Sequence, residues 1–203
     1  MEFLSRDQIG MLLDECGLKV GAELGVLEGE FSAVTLSKWK SCTKYYLVDP
    51  WTEQKNYADR LNVDNISQNL IYNNTVKRLK RWAEKTVFLR RTSVSAADYI
   101  EDVSVDFVYV DARHDYCAVK EDIQLYWSKL KTGGVMSGHD YMWSGDADQM
   151  SREGLDWGLC ENGTRVEGAV KRAVDEFAFE RSLNVVVTSE PSGINPSWVM
   201  VKL

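Results

Sequence analysis

Two apolar runs in this chain end in the same chemistry. VYVDARHDY (108–116) passes from apolar residues into Asp111, Arg113, His114 and Asp115, and GGVMSGHDY (133–141) ends in His139 and Asp140. The chain has 2 histidines, and each lies in one of these two endings. A carboxylate beside an imidazole at a strand end can ligate a divalent cation, take a proton from a hydroxyl, or simply brace the chain. Asp111, His139 and Asp140 form the candidate metal set. His139 and His114 are the candidate bases, because imidazole titrates near neutral pH. Other roles stay open for each: Asp111 as a contact to a ligand's amino group or a helix cap, His139 in a loop hydrogen bond, His114 packed beside a ligand ring or capping its helix. Asp115 is better placed to cap the helix that begins near Tyr116.

A second group lies upstream in AELGVLEGEFS (22–32), where Glu23, Gly25 and Gly29 precede Ser32. The spacing is Glu-x-Gly-x-x-x-Gly, not the Gly-x-Gly-x-x-Gly of a pyrophosphate turn. Glu23, Glu28 and Glu30 would repel a diphosphate and would suit a ligand carrying positive charge. Asp49 follows Gly25 by 24 residues, at the end of an apolar run. A carboxylate there can accept hydrogen bonds from both hydroxyls of a ribose.

These residues need elements to place them. KVGAELGV (19–26), KYYLVD (44–49), TVFLR (86–90), VDFVYVD (105–111) and GGVMSG (133–138) read as strands, mostly apolar throughout, as in a sheet buried on both faces. Helical stripes lie between them: Ile66 and Leu70 with Leu79 and Trp82, then Val119, Ile123, Trp127 and Leu130. A helix bearing Val170, Val174 and Phe177 leads into LNVVVTSE (183–190), a PSGINP turn (191–196) and SWVMVKL (197–203). The expected fold is α/β: a doubly wound, mostly parallel seven-stranded sheet whose last strand is antiparallel. We expect one domain over 1–203, with an N-terminal helix in 1–17. Two irregular segments, 50–65 and 141–163, follow strand C-termini, where open α/β sheets bind ligands. Their aromatics (Trp51, Tyr57, Tyr141, Trp143, Trp157) fit a pocket wall or an anchor equally well, and 141–163 is the expected substrate loop or lid.

GAELGVLEGEFS, YYLVDPW, DFVYVDARHDY and LKTGGVMSGHDY together resemble the seven-stranded (class I) S-adenosylmethionine-dependent methyltransferases, of the small type similar to the macrocin and catechol O-methyltransferases. The resemblance spans about residues 18 to 203. It implies a Rossmann-like sheet, S-adenosylmethionine as cofactor, and methyl transfer to a small-molecule hydroxyl of a sugar, phenol or secondary metabolite. Carried over by position, Glu23, Gly25 and Gly29 belong to the methionine end of the cofactor, and Ser32, near the start of the following helix, counts among the cofactor-binding residues. Asp49 belongs to the ribose, Ser93 to the adenine, and Asp111 borders the cofactor. Metal-dependent members place acidic ligands at the ends that Asp111 and Asp140 occupy here. His139 departs from that pattern; it shifts the preference from Mg²⁺ toward Mn²⁺, Fe²⁺ or Zn²⁺, or leaves a histidine base with no metal. Asp98 and Asp102 read as surface or capping residues.

Composition bounds the rest. Apolar residues make up 44% and charged residues 27%, as in a water-soluble domain. No apolar run approaches the ~20 residues that cross a bilayer, and the first residues lack a signal peptide's basic start, so the expectation is a cytoplasmic protein with no membrane partner. The net charge of −7 argues against nucleic acid, and KRLKRW (77–82) reads as a solvated helix face. Cys16, Cys42, Cys117 and Cys160 lack metal-ligand spacing and are expected as free thiols. A homodimer is the default oligomer. Two other readings stand beside the enzyme: an NAD(P)-dependent oxidoreductase, disfavoured by the glycine spacing and acidic loop, and a non-catalytic cofactor-binding protein, disfavoured by the polar cluster.

Overall fold

The computed structural model describes residues 5–146, 155–190 and 195–203. Seven strands form one sheet: β1 (Val20–Leu24), β2 (Lys44–Val48), β3 (Thr86–Leu89), β4 (Val105–Val110), β5 (Leu130–Gly138), β6 (Val186–Val187) and β7 (Trp198–Val201). Their order is β3-β2-β1-β4-β5-β7-β6. The pairs from β3 to β5 are parallel, and β7 runs antiparallel to both β5 and β6. This is the expected sheet with its reversed last strand. Residues 191–194 of the expected hairpin turn lie outside the described residues.

Both faces of the sheet are covered, which explains why its strands read as continuous apolar runs. Successive side chains of β4 alternate between the two layers. Val108 and Val110 pack with Ile123, Val174 and Phe177, beneath α5 (Tyr116–Lys129) and α6 (Ala169–Glu180). Phe107 and Tyr109 pack with Leu13, Phe31 and Trp39, beneath α1 (Ile9–Glu15) and α2 (Glu30–Lys38). The stripe expected through Ile66 and Leu70 of α3 (Asn65–Arg78) faces solvent instead, at 76% and 60% exposure. Helix α3 buries Gln68 and Thr75 and rests Ile71 and Tyr72 on the core. Its approach is fixed by neighbours that the helical period alone does not reveal. A short helix α4 (Ser93–Ala96) follows β3.

The expectation of four free thiols is corrected. Cys117, in the first turn of α5, forms a disulfide with Cys160, 43 residues later; Cys16 and Cys42 are free. The pair has no spacing motif because the contact is made by folding, which lays the 155–168 segment against the start of α5.

Candidate active site

The site is built where the strands end. β1 and β2 are neighbours, so the turn after β1 lies beside Asp49 at the end of β2. Gly25 has φ 84°, and a Cβ there would lie 1.9 Å from the carbonyl oxygen of Asp111. Only glycine lets the ends of β1 and β4 approach this closely. Gly29 (φ 71°) precedes α2, and a Cβ on it would meet Thr75 Cγ2 at 2.9 Å. Asp49 Oδ2 accepts from the backbone N–H groups of Val26 (3.0 Å) and Leu27 (2.9 Å), while Oδ1 accepts from Trp51 N–H (2.7 Å). The acid therefore shapes the glycine turn as well as lining the cavity. Glu23 points into the sheet's covered face, where Ser32 Oγ donates to it at 2.7 Å. Burial pushes the Glu23 carboxyl up to about 8, against the pull of that hydrogen bond.

β4 and β5 are also neighbours, and their ends bring Asp111, His139 and Asp140 together. One ligand atom from each of the three lies within 4.8 Å of the others. Asp140 takes φ 52°, an uncommon backbone conformation for a residue with a side chain, of the kind that concentrates at functional sites. It is 4% exposed, and its Oδ1 has no hydrogen-bond partner among the described residues. Its Oδ2 faces His139 Nδ1 at 3.3 Å and His114 Nε2 at 3.2 Å.

His114 is enclosed on every side. Nε2 also faces Asp111 Oδ1 at 3.5 Å, and Nδ1 faces Asp59 at 3.8 Å. Nδ1 lies 2.9 Å from Tyr57 Oη, and the Trp157 ring is centred 4.4 Å from the imidazole. Burial alone would lower the His114 pKa, but Asp111, Asp140 and Asp59 outweigh it and raise it to about 10. At neutral pH the ring is an imidazolium, donating from both nitrogens, with no free lone pair to take a proton. His139 is raised in the same way against burial, by Asp111 and Asp140. The Asp140 carboxyl is held low, the two histidines overcoming its own burial.

The irregular segments wall this floor. A cavity of about 850 Å³ reaches from Arg6, Glu23 and Gly25 past Asp49 to Asn62 and Trp157. That size accommodates a drug-sized ligand. Tyr57 and Trp157 line it, so two of the five loop aromatics form the wall. Trp51 instead anchors its loop: it is buried against Tyr72 and Phe88 and donates Nε1–H to Leu27 O at 2.9 Å. Tyr141 pairs with Asp175 and Lys171, and Trp143 is exposed. Residues 147–154 of the expected lid lie outside the described residues.

Glu23, Gly25, Asp49, Asp111, His114, His139 and Asp140 all border the one cavity. Gly29, Ser32 and Ser93 do not border it: Gly29 packs on α3, Ser32 is buried under Glu23, and the Ser93 carbonyl accepts from Tyr126 Oη. Asp115 caps α5 through Ala118 N–H at 3.1 Å, as the sequence suggests. Sequence reasoning missed three residues. Asp59 reaches His114 from the 50–65 segment. Arg113 ties that segment to the end of β4, donating to Asp115 (2.7 Å), Lys55 O (2.9 Å) and Asn56 O (3.0 Å). Arg6 enters the cavity from the N-terminal segment. Arg113 stands within the quoted strand ending and was legible as a charge there; Asp59 and Arg6 carry no spacing signal.

A seven-stranded sheet with β7 reversed, and a cavity above the ends of β1, β2, β4 and β5, define a class I methyltransferase fold. Residues 22–141 match the methyltransferase-domain family, and the chain belongs to it. Solved structures share this fold at low identity. An O-methyltransferase family protein of Burkholderia thailandensis superposes with a TM-score of 0.66 at 13% identity, over 97% of this chain and 55% of that one. The O-methyltransferase TomG of Streptomyces achromogenes, involved in tomaymycin synthesis and solved with SAM, gives 0.62 at 10% over 98% and 79%. The N-methyltransferase NodS of Bradyrhizobium japonicum, solved with S-adenosyl-L-homocysteine, gives 0.58 at 12% over 97% and 85%. An uncharacterised protein of Sinorhizobium fredii is 37% identical over 70 residues, which is 34% of this chain and 8% of that protein.

Proposed function

We propose that this chain transfers a methyl group from S-adenosylmethionine to a hydroxyl of a small molecule, with a divalent cation held by Asp111, His139 and Asp140. Family membership supports the reaction class, and TomG supports O-transfer by analogy of fold. The observation that carries the metal is Asp140 Oδ1. A buried carboxylate oxygen without a hydrogen-bond donor is costly unless a cation completes it. Two carboxylates and one imidazole suit Mg²⁺ or, better, Mn²⁺ or Fe²⁺. When bound, such a cation lowers the pKa of a hydroxyl that it ligates.

The chain's own residues position the partners. Asp49 and the Gly25 turn take the nucleoside, and Tyr57 and Trp157 stack against an apolar acceptor such as a phenol or sugar face. His114, held protonated between three carboxylates, braces the floor and donates hydrogen bonds; the resting arrangement does not favour it as a base. Methyl transfer is an in-line displacement, so orientation inside a closed wall supplies much of the rate. Neither a duplex nor a membrane is part of this reading. A cytoplasmic location belongs to it on composition alone, and the Cys117–Cys160 bond weighs on the other side, since disulfides persist mainly in oxidising compartments.

The test is calorimetric titration of S-adenosylmethionine, followed by methylation of a panel of phenols and sugars in chelator and then with Mg²⁺ or Mn²⁺. Binding of the cofactor, with turnover lost in chelator and in Asp140→Asn, is expected. Failure to bind the cofactor overturns the methyltransferase reading. Turnover indifferent to chelator overturns the metal alone, and a variant that loses no function favours a binding protein.

A further inference from the structure

Two stretches of the chain are joined twice at the same interval. His114 stands three residues before Cys117, and Trp157 stands three residues before Cys160. The Trp157 ring is centred 4.4 Å from the His114 imidazole, and the Cys117–Cys160 disulfide links the same two stretches three residues further on. Cys117 lies in the first turn of α5, whose Val119 and Ile123 are buried in the core. The bond therefore anchors the wall that carries Trp157 to a helix packed on the sheet.

Other ties of that wall run to a second loop. Asp156 N–H donates to Ala58 O at 3.1 Å, Asn56 Nδ2 donates to Glu161 O at 2.7 Å, and Trp157 Nε1–H reaches Asp59 Oδ2 at 3.4 Å. Loops bonded to loops belong to the low-stability end of a structure, where local opening costs least. Trp157 is 3% exposed and packs with Met142, Ala169, Tyr57 and Leu155, a small cluster separate from the two main ones. Breaking the disulfide leaves the indole over His114 without a covalent hold, dependent on that cluster and on loop-to-loop hydrogen bonds.

We propose that Cys117–Cys160 is a thiol–disulfide exchange site for a dithiol reductant, and that its state sets whether the acceptor side of the cavity is walled. The two sulfurs differ in access: Cys160 is 1% exposed, whereas Cys117 is half-buried. A thiolate of the reductant attacks Cys117 Sγ, the S–S bond breaks, and Cys160 leaves as a thiolate that takes up a proton. The reductant's second thiol then attacks the mixed disulfide, which releases the Cys117 thiol and closes the reductant's own disulfide. Two electrons and two protons pass to the protein. With the bond closed, Trp157 stays on His114 and the acceptor pocket keeps its wall. With the bond reduced, the 155–168 segment lifts and that wall is lost. The cofactor end is unchanged, because the ends of β1 and β2 set the Gly25 turn and Asp49. The acceptor part rests on the function reading above; the exchange site and the movement of Trp157 do not.

Hydrogen exchange and hydroxyl-radical labelling of Trp157 are compared in the oxidised chain, in the chain reduced with dithiothreitol, and in the double variant Cys117→Ser/Cys160→Ser. Peptides from β1 and β4 serve as the control for folding. Reduction is expected to speed exchange across 155–168 and labelling of Trp157 by about tenfold or more, reversibly on reoxidation. The double variant should match the reduced chain whether or not dithiothreitol is present. S-adenosylhomocysteine affinity by calorimetry should change by less than about twofold, while KM for a phenol or sugar acceptor rises by roughly tenfold. Equal exchange and labelling in both states overturn the inference, as does a bond that dithiothreitol cannot open in the folded chain. Faster opening with an unchanged acceptor KM, or loss of protection in β1 and β4 on reduction, makes the bond a structural staple and overturns the gate. One zinc per purified chain, held by Asp115, Cys117 and Cys160, would overturn it in favour of a metal site, since ligand atoms of these three lie within 4.8 Å of one another. Failure to bind S-adenosylhomocysteine in either state overturns the function reading alone, and the Trp157 labelling then decides the gate by itself.

Discussion

Glu23 illustrates how one buried residue sets a property of the whole fold. Its carboxyl holds a proton up to about pH 8 in the folded chain, against an ordinary value of 4.5, because burial penalises the charged form. Between those values the folded state binds more protons than the unfolded state, so stability falls as pH rises. The stabilising contribution is complete below about 4.5 and lost once pH passes about 8. Asp122, buried under α4 and pushed up to about 7, acts in the same direction. We expect Glu23→Gln to be more stable than wild type at pH 9, by on the order of 3 kcal/mol, and to show little advantage at pH 5. Urea denaturation at the two pH values checks this; an advantage of equal size at both would mean that the carboxyl does not titrate in that window. The same proton has a functional side, since a cationic cofactor nearby would draw Glu23 toward its charged form.

At the scale of elements, the site depends on segments that the sheet does not hold. The 50–65 segment is fastened by Arg113, and the 155–168 segment by the Cys117–Cys160 disulfide, with the Arg165–Asp156 ion pair bracing it internally. The disulfide closes 43 residues, and cross-linking a loop of that length is worth up to about 4 kcal/mol on chain-entropy grounds. Cys117→Ser or a dithiol reductant should therefore lower the melting temperature by several degrees and loosen Trp157 over His114. Peptide mapping under non-reducing conditions, with melts in both redox states, reads the effect; a melt that ignores reductant would show that the bond carries no stability. Such loops were recognisable in the sequence as overlong and aromatic. Which aromatics face the cavity was not recognisable, because Trp51 and Tyr57 are both aromatic residues of one irregular segment and only the fold sets their different surroundings.

For the whole molecule, a net charge of −7 and a cavity ringed by carboxylates repel polyanions. KRLKRW does not offset this: Arg78 is engaged with Glu28 and Glu30, and Arg81 stacks on Trp82. Duplex DNA should show no binding by fluorescence anisotropy at physiological salt, where non-specific binders typically reach dissociation constants of about 10⁻⁴–10⁻⁶ M. Saturable binding in that range would overturn the small-molecule reading of the partner. The cavity's size points the same way, being on the scale of a cofactor with a compact acceptor rather than of a polymer groove.

The sequence by itself determined the sheet and most of the floor of the site. Continuous apolar runs specify strands covered on both faces, and polar residues at their ends must gather along one edge of a parallel sheet. Hence Glu23, Gly25, Asp49, Asp111, His114, His139 and Asp140 were named from types and spacing, and the fold places them around one cavity. Only the tertiary structure decided what comes to that edge from elsewhere in the chain: Asp59 and Trp157 against His114, Arg6 beside Asp111, and Cys160 onto Cys117. It also turned Ile66 and Leu70 outward and kept Ser32 and Ser93 away from the cavity. The physical reason is locality. Strand pattern and turn chemistry act over a few residues and can be read in order, whereas charge pairing and side-chain burial depend on distances that exist only after the chain has closed on itself.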